Sequence, residues 1–158
     1  MSEPLPSDVK LYRRVRPDHW DEEDGEPRRP GPEAFSRQNG GMSTYASTHC
    51  HPVKMLEDVL STWERWASKP THRDHELGKA NLEQCPTLPA MIDAGWGVVV
   101  MTADDVEDFE TKLNPKTGHV DICHPDEEMW EVYPDIWSHD CTEVPREELL
   151  DGVKTHQV

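Results

Sequence analysis

Three polar motifs occur along the sequence in an order that could build a nucleotide-binding cleft. Arg13 lies in an alternating stretch at residues 9–15, where it falls among the apolar residues and is expected to point inward or into a cleft. Ser43 and Thr44 follow in a second strand-like stretch, and Glu131 stands shortly before a proline. A guanidinium can hold a phosphate in a fixed plane, and a carboxylate can stabilise a developing positive charge. These side chains are therefore predicted to meet at one ligand.

The order of these motifs resembles the Arg…Ser-Thr-Ser…Glu plan of ADP-ribosyltransferase-like proteins. The segment at 40–47, followed by a helix at 52–67, is also similar to the start of RES-type NAD-consuming proteins, so that the resemblance covers residues 9–67 and 127–134. It implies a protein that binds or cleaves NAD, with NAD as the cofactor. In this resemblance the catalytic residues are Arg13, Ser43 and Glu131, and the cofactor-binding residues are Tyr12, Thr44 and Tyr45.

The same residues also have a purely structural interpretation. Arg13 would then be a buried arginine paired with an acid, and Ser43 with Thr44 would belong to an ordinary strand. The third position of a Ser-Thr-Ser motif is a tyrosine here, and the neighbouring Glu127 or Glu128 could supply the carboxylate instead. The two interpretations differ in geometry, because groups that bind one ligand must converge to within about 10 Å of one another.

Histidine and cysteine fall in small clusters that suggest a second kind of chemistry. Zn²⁺ prefers imidazole and thiolate ligands in tetrahedral sets. The best candidate set is Cys123, His124, His139 and Cys141, because a turn between the two pairs could bring them together. The sequence has no Cys-x-x-Cys pair, so this set predicts at most a small zinc-stabilised domain as an alternative function.

The charge distribution limits the partners. The formal net charge is −16, and residues 101–158 hold 16 Asp and Glu against four Lys and Arg, a net of −12. Such a surface repels phosphate, which disfavours direct nucleic-acid binding and docking on anionic membranes. An alternative function follows, in which the acidic row at 104–110 occupies the groove of a basic protein as an inhibitor of the phosphate-mimic or immunity type.

The strands and helices that the sequence predicts around these residues indicate one α+β domain. Strands are expected at 9–15, 42–47, 97–101, 119–123 and 129–133, and the spacing of apolar residues predicts a helix at 52–67. Shorter helices are predicted at 89–94, 102–109 and 145–150, with no clear element at 69–88. Strands and short helices in mixed order indicate a twisted, mainly antiparallel sheet with flanking short helices.

Length and composition set the remaining expectations. A chain of 158 residues is predicted to be a single domain at 9–151, with a flexible leader at 1–8, a long loop at 17–40 and a tail at 152–158. The sequence begins without a signal-peptide pattern and has no apolar run long enough to span a membrane. Its four cysteines lack a tight framework and are therefore interpreted as reduced thiols of a cytoplasmic protein.

Overall fold

The core is organised around an antiparallel sheet with helices on both faces. The computed structural model describes residues 5, 8–21, 28–35 and 41–156, with side chains up to Val153. The strands are β1 (Lys10–Val15), β2 (Trp20–Asp21), β3 (Arg29–Pro30), β4 (Gly41–Ala46), β5 (Gly97–Thr102), β6 (Glu110–Leu113), β7 (His119–Cys123) and β8 (Thr142–Glu143). The helices are α1 (Lys54–Ala67), α2 (His75–Gln84), α3 (Leu88–Asp93), α4 (Glu127–Asp140) and α5 (Arg146–His156). This arrangement confirms the predicted α+β class.

The main sheet has six strands in the order β6-β7-β4-β1-β5-β8, and every pair of neighbours is antiparallel. β1 pairs with β5 along its whole length, from Lys10 opposite Thr102 to Val15 opposite Gly97. Its pairing with β4 covers only the end of the strand, where Tyr12 lies opposite Tyr45. The backbone of β4 beyond this point needs other hydrogen-bond partners on the side of β1.

Alternation along β1 sends its side chains to two separate apolar clusters. Leu11 and Val15 belong to one cluster together with Trp137 of α4, on what we name the α4 face of the sheet. Tyr12 belongs to the other, which includes Leu56 of α1, on what we name the α1 face. Because successive residues of a strand point to opposite faces, Arg13 lies on the α4 face and Arg14 on the α1 face.

Helix α1 confirms the strongest periodic pattern, and α2 was not predicted. Met55, Leu56 and Trp63 of α1 are buried against the sheet. The sequence of α2 is mostly polar, and within it only Gly78 is buried, at the crossing with α1. A helix that is positioned by close backbone approach carries little apolar periodicity, so its sequence does not reveal it.

The predicted strand at 129–133 is wrong, because these residues belong to α4. The residues on both sides of this alternating segment favour a helix. On the N-terminal side, the Asp126 carboxylate caps the helix by accepting from the N–H of Glu128, and on the C-terminal side Trp137 is completely buried. Pro134 does not end the helix but lies buried inside it. The burial of Trp137 offsets the cost of the one backbone hydrogen bond that a proline inside a helix removes.

The described parts of the segment at 17–40 are attached to the rest of the fold. It contains two short 3-10 helices, Pro17–His19 and Pro32–Phe35, and the antiparallel pair β2–β3. The indole N–H of Trp20 donates to the Gly95 carbonyl at 2.8 Å, and Arg28 stacks on that indole and pairs with Glu143 at 2.7 Å. Most of the predicted leader, Gly40, and residues 22–27 and 36–39 lie outside the described residues.

The C-terminal region is helical where a tail was predicted. Helix α5 continues to His156, and Gly152 and Val153 are buried against the α1 face. Across the described ranges, no helix is both long and apolar enough to cross a membrane. All four cysteines are free thiols.

Candidate functional site: a cavity between β1, α1 and α2

The side chain of Arg13 forms hydrogen bonds to two main-chain carbonyls. It is 7% exposed, and its guanidinium donates from Nε to the Ala34 carbonyl and from Nη1 to the Ser43 carbonyl, both at 2.9 Å. The second bond satisfies the backbone of β4 where its pairing with β1 has stopped. Burial lowers the pKa of Arg13 to about 9, with a smaller contribution from Arg14, so the side chain remains charged at neutral pH. Its hydrogen bonds tie β1, β4 and the 3-10 helix at 32–35 together.

The other predicted catalytic side chains do not join Arg13 in one cleft. The Ser43 side chain lies on the α1 face, opposite to Arg13, and its Oγ is hydrogen-bonded to Nε2 of His119 at 3.0 Å. Glu131 lies exposed on α4, on the far side of the α4 face. His119 was not among the predicted residues, and its partnership with Ser43 depends on the register of β4 with β7.

The three predicted cofactor-binding residues separate in the same way. Thr44 is fully buried on the α4 face and donates its hydroxyl to the Val120 carbonyl at 2.8 Å. Tyr12 and Tyr45 lie on the α1 face, where Tyr12 is part of the apolar cluster and Tyr45 packs against it. The hydroxyl of Tyr45 donates to the Asp58 carboxylate of α1.

The structure does not bring the four predicted zinc ligands together. Cys123 ends β7, and the ring of His124 packs against Phe109. His139 bonds through Nδ1 to the Asp135 carbonyl within α4, and Cys141 caps that helix. Within the part of the chain that the structure describes, no three His, Cys, Asp or Glu side chains converge as a metal ion would require.

A cavity of about 690 Å³ opens on the α1 face, at the end of β1. Arg14 and Arg16 line it from β1 and the residue that follows the strand, and α1 contributes Trp63 and Trp66. Helix α2 contributes the amides of Asn81 and Gln84, and Trp96 lines it from the segment before β5. The lining residues come from four separate parts of the sequence, so no local motif marks this site.

The walls of this cavity offer hydrogen-bond donors that no neighbouring group uses. The guanidinium of Arg14 forms no hydrogen bond or ion pair with any residue that the structure describes. Within the same described ranges, the indole N–H groups of Trp63, Trp66 and Trp96 also have no acceptor. No buried side-chain donor among the described residues lacks a partner, so these N–H groups are open to solvent, where a ligand can reach them.

The anionic groups of the cavity are already paired. Asp58 accepts from the Tyr45 hydroxyl and lies 3.2 Å from the Lys54 ammonium, and Asp18 pairs with Arg16 at 3.4 Å. Burial lowers the pKa of Arg14, an effect that the nearby Asp58 opposes. A guanidinium is not deprotonated in proteins, so Arg14 is a charged donor. The cavity therefore combines a charged donor with neutral donors and aromatic surfaces.

The aromatic walls are fixed by packing. The rings of Trp63 and Trp96 meet edge to face, with centroids 5.6 Å apart, and Trp66 stacks on His72 at 6.0 Å. The crossing of α1 and α2 is held close by Gly78, where a Cβ atom would lie 2.8 Å from the Trp63 carbonyl oxygen. The indole groups that line the cavity are therefore held in place before any ligand binds.

Comparison of the chain with protein-family models, with curated proteins and with solved structures found no match. The site is therefore interpreted from its own chemistry.

The sequence marks only part of this site. The alternation of β1 indicates that Arg14 and Tyr12 share the α1 face. The three tryptophans carry no comparable signal, since Trp63 and Trp66 read as core positions of α1 and Trp96 stands alone.

Proposed function

We propose that the cavity between β1, α1 and α2 binds a small anionic ligand with a flat aromatic ring, and that this ligand is a nucleotide. The observation that carries the proposal is the charged guanidinium of Arg14, which lines the cavity and has no hydrogen-bond or ion-pair partner among the described residues. An arginine fork matches the geometry of a phosphate group, and indole rings stack on purine and pyrimidine rings. The phosphate of a nucleotide would therefore contact Arg14, and its base would contact the indole rings.

The size and polarity of the site support the same ligand class. A volume of about 690 Å³ lies within the range of small-molecule and cofactor sites. The side-chain amides of Asn81 and Gln84 can both donate and accept, as the edge of a base requires. The strong negative charge of the whole chain works against phosphate binding, so recognition depends on Arg14 inside a partly desolvated pocket.

The ADP-ribosyltransferase-like function remains an alternative proposal for the same ligand class. It requires a carboxylate beside the ribose, and in the cavity Asp58 and Asp18 already have partners. Glu131, the carboxylate that the resemblance assigns, lies on the other face of the sheet. Binding without cleavage is therefore the simpler proposal, and nicotinamide release from NAD⁺ separates the two.

Binding is tested by calorimetry with AMP, NAD⁺, adenosine and inorganic phosphate. AMP and NAD⁺ are expected to bind more tightly than adenosine or phosphate alone. A hydrogen bond to a charged group contributes about 1.5–3 kcal/mol, so Arg14→Met should weaken AMP binding roughly 10- to 100-fold. The matched control is Arg65→Met, which removes the same charge from an exposed position of α1 outside the cavity.

Two results would contradict the proposal. One is the absence of AMP and NAD⁺ binding at ligand concentrations of about 1 mM. The other is equal affinity of the wild type and Arg14→Met. Nicotinamide is measured in the NAD⁺ samples, and release that Glu131→Gln abolishes would favour the ADP-ribosyltransferase-like function instead.

A further inference from the structure

The outer side of α4 exposes apolar side chains that the fold does not use. Val132 is 55% exposed and Ile136 is 42% exposed, and they lie one helical turn apart. The remaining exposed large hydrophobic residue among the described ones, Leu77, lines the cavity described above. The opposite side of α4 is occupied by Trp137, which is completely buried. The apolar pair on α4 therefore points away from the core.

Acidic residues surround this pair. Glu128 and Asp140 flank it along the same helical row, and Glu131 and Asp135 follow the adjacent row; all four are exposed. The sequence has no Lys or Arg between Lys116 and Arg146. We name the six residues Glu128, Glu131, Val132, Asp135, Ile136 and Asp140 the α4 surface.

A second acidic segment is fixed against α4 on the side that carries Tyr133 and Trp137. The Tyr133 hydroxyl donates to the Asp108 carboxylate, and the indole N–H of Trp137 donates to the Asp105 carbonyl at 2.8 Å. These bonds hold the 3-10 helix Ala103–Val106 and the residues after it against α4. The acidic row that the sequence suggested for a basic partner is thus held against the same helix that carries the exposed apolar pair.

Stability of the helix does not account for this pattern. Glu131 and Asp135 are like charges at i and i+4, a spacing that destabilises a helix. Asp140 lies in the last turn, where the helix dipole disfavours a negative charge. Glu131, Asp135 and Asp140 therefore act against the helix that carries them, whereas Glu128 lies in the first turn, where the dipole favours it. The three unfavourable acids favour a role in contact with another molecule.

We infer that the α4 surface docks a basic amphipathic segment of another protein. The aliphatic residues of that segment would cover Val132 and Ile136, and its Lys or Arg residues would pair with the surrounding carboxylates. Nucleic acid does not fit, because its phosphates would face carboxylates. This inference is independent of the nucleotide proposal, since the cavity lies on the other face of the sheet.

The test uses a fluorescent synthetic helical peptide of lysine and leucine, with leucines on one face, and measures anisotropy at low salt. The wild type is expected to bind it, and binding should weaken as salt screens the charges. The double variant Val132→Ser with Ile136→Ser should bind at least about tenfold more weakly. Glu131→Gln with Asp135→Asn should give a comparable loss.

The matched control is Glu64→Gln with Glu83→Gln, which changes the net charge equally at exposed positions of α1 and α2. Circular dichroism verifies that every variant is folded. Equal binding by the control and by the α4 variants would overturn the inference, as would the absence of any binding to the wild type. A peptide with serine in place of leucine should bind much less; equal binding would reduce the site to non-specific charge attraction.

Discussion

Gly78→Ala is expected to destabilise the protein, although alanine is the better helix former. At this position a Cβ atom would lie 2.8 Å from the carbonyl oxygen of Trp63, 2.8 Å from Cβ of Trp66 and 3.0 Å from the backbone N of Ala67. Two of these three atoms belong to the backbone of α1, so a side-chain rotation cannot relieve the contact. The helices must move apart, and α1 forms a wall of the cavity.

The magnitude follows from two opposing effects. Replacing glycine by alanine inside a helix stabilises by about 1 kcal/mol. Overpacking a close contact typically costs about 1–3 kcal/mol, and a clash with backbone belongs to the upper part of that range. A net loss of about 2 kcal/mol in the free energy of unfolding is therefore expected. For a chain of this size, that corresponds to a decrease of about 4–8 °C in Tm.

Urea unfolding followed by tryptophan fluorescence measures this loss, and Lys79→Ala serves as control because Lys79 is exposed on the same helix. The control should change the free energy of unfolding by less than about 0.5 kcal/mol. Gly78→Ala should also weaken AMP binding, since the distance between α1 and α2 sets the shape of the cavity. A Gly78→Ala protein that is more stable than the wild type would refute the close crossing.

Two further predictions concern the two faces of the sheet. Trp137→Ala should lower the free energy of unfolding by roughly 3–5 kcal/mol in urea titrations, because it empties a fully buried position of the α4 face; a loss near zero would contradict that packing. Burial, and then the hydrogen bond to Asp58, raise the pKa of Tyr45 above its ordinary value of 10.0. The resulting stabilisation is complete below pH 10 and is lost as pH rises through the folded-state pKa, so above about pH 10 the wild type should lose more stability than Tyr45→Phe. Parallel pH profiles would be inconsistent with a raised pKa.

The sequence predicts elements whose signal is local and fails where distant contacts decide. β1 and α1 carry complete periodic patterns, and both form as predicted. The residues of α4 alternate like a strand, but the burial of Trp137 and the cap at Asp126 favour a helix. Tertiary packing overrides a short alternating pattern of this kind.

The candidate site shows the same division. The inward orientation of Arg13 was correctly anticipated, but its acceptors are the carbonyls of Ala34 and Ser43, which no sequence pattern places beside it. The alternation of β1 places Arg14 on the opposite face from Arg13, and no sequence motif gives it a role. Its importance follows only from the cavity that α1, α2 and Trp96 form around it, and those elements are brought together by the fold as a whole.

The most direct test of the account follows the indole N–H signals of the six tryptophans by ¹H–¹⁵N NMR during titration with AMP. Trp63, Trp66 and Trp96 line the cavity, whereas Trp130 and Trp137 lie on the α4 face. We expect AMP to shift the first three signals and to leave the last two unchanged, and we expect Arg14→Met to abolish the shifts at the same AMP concentration. Unchanged signals of Trp63, Trp66 and Trp96, or shifts confined to Trp130 and Trp137, would contradict this expectation.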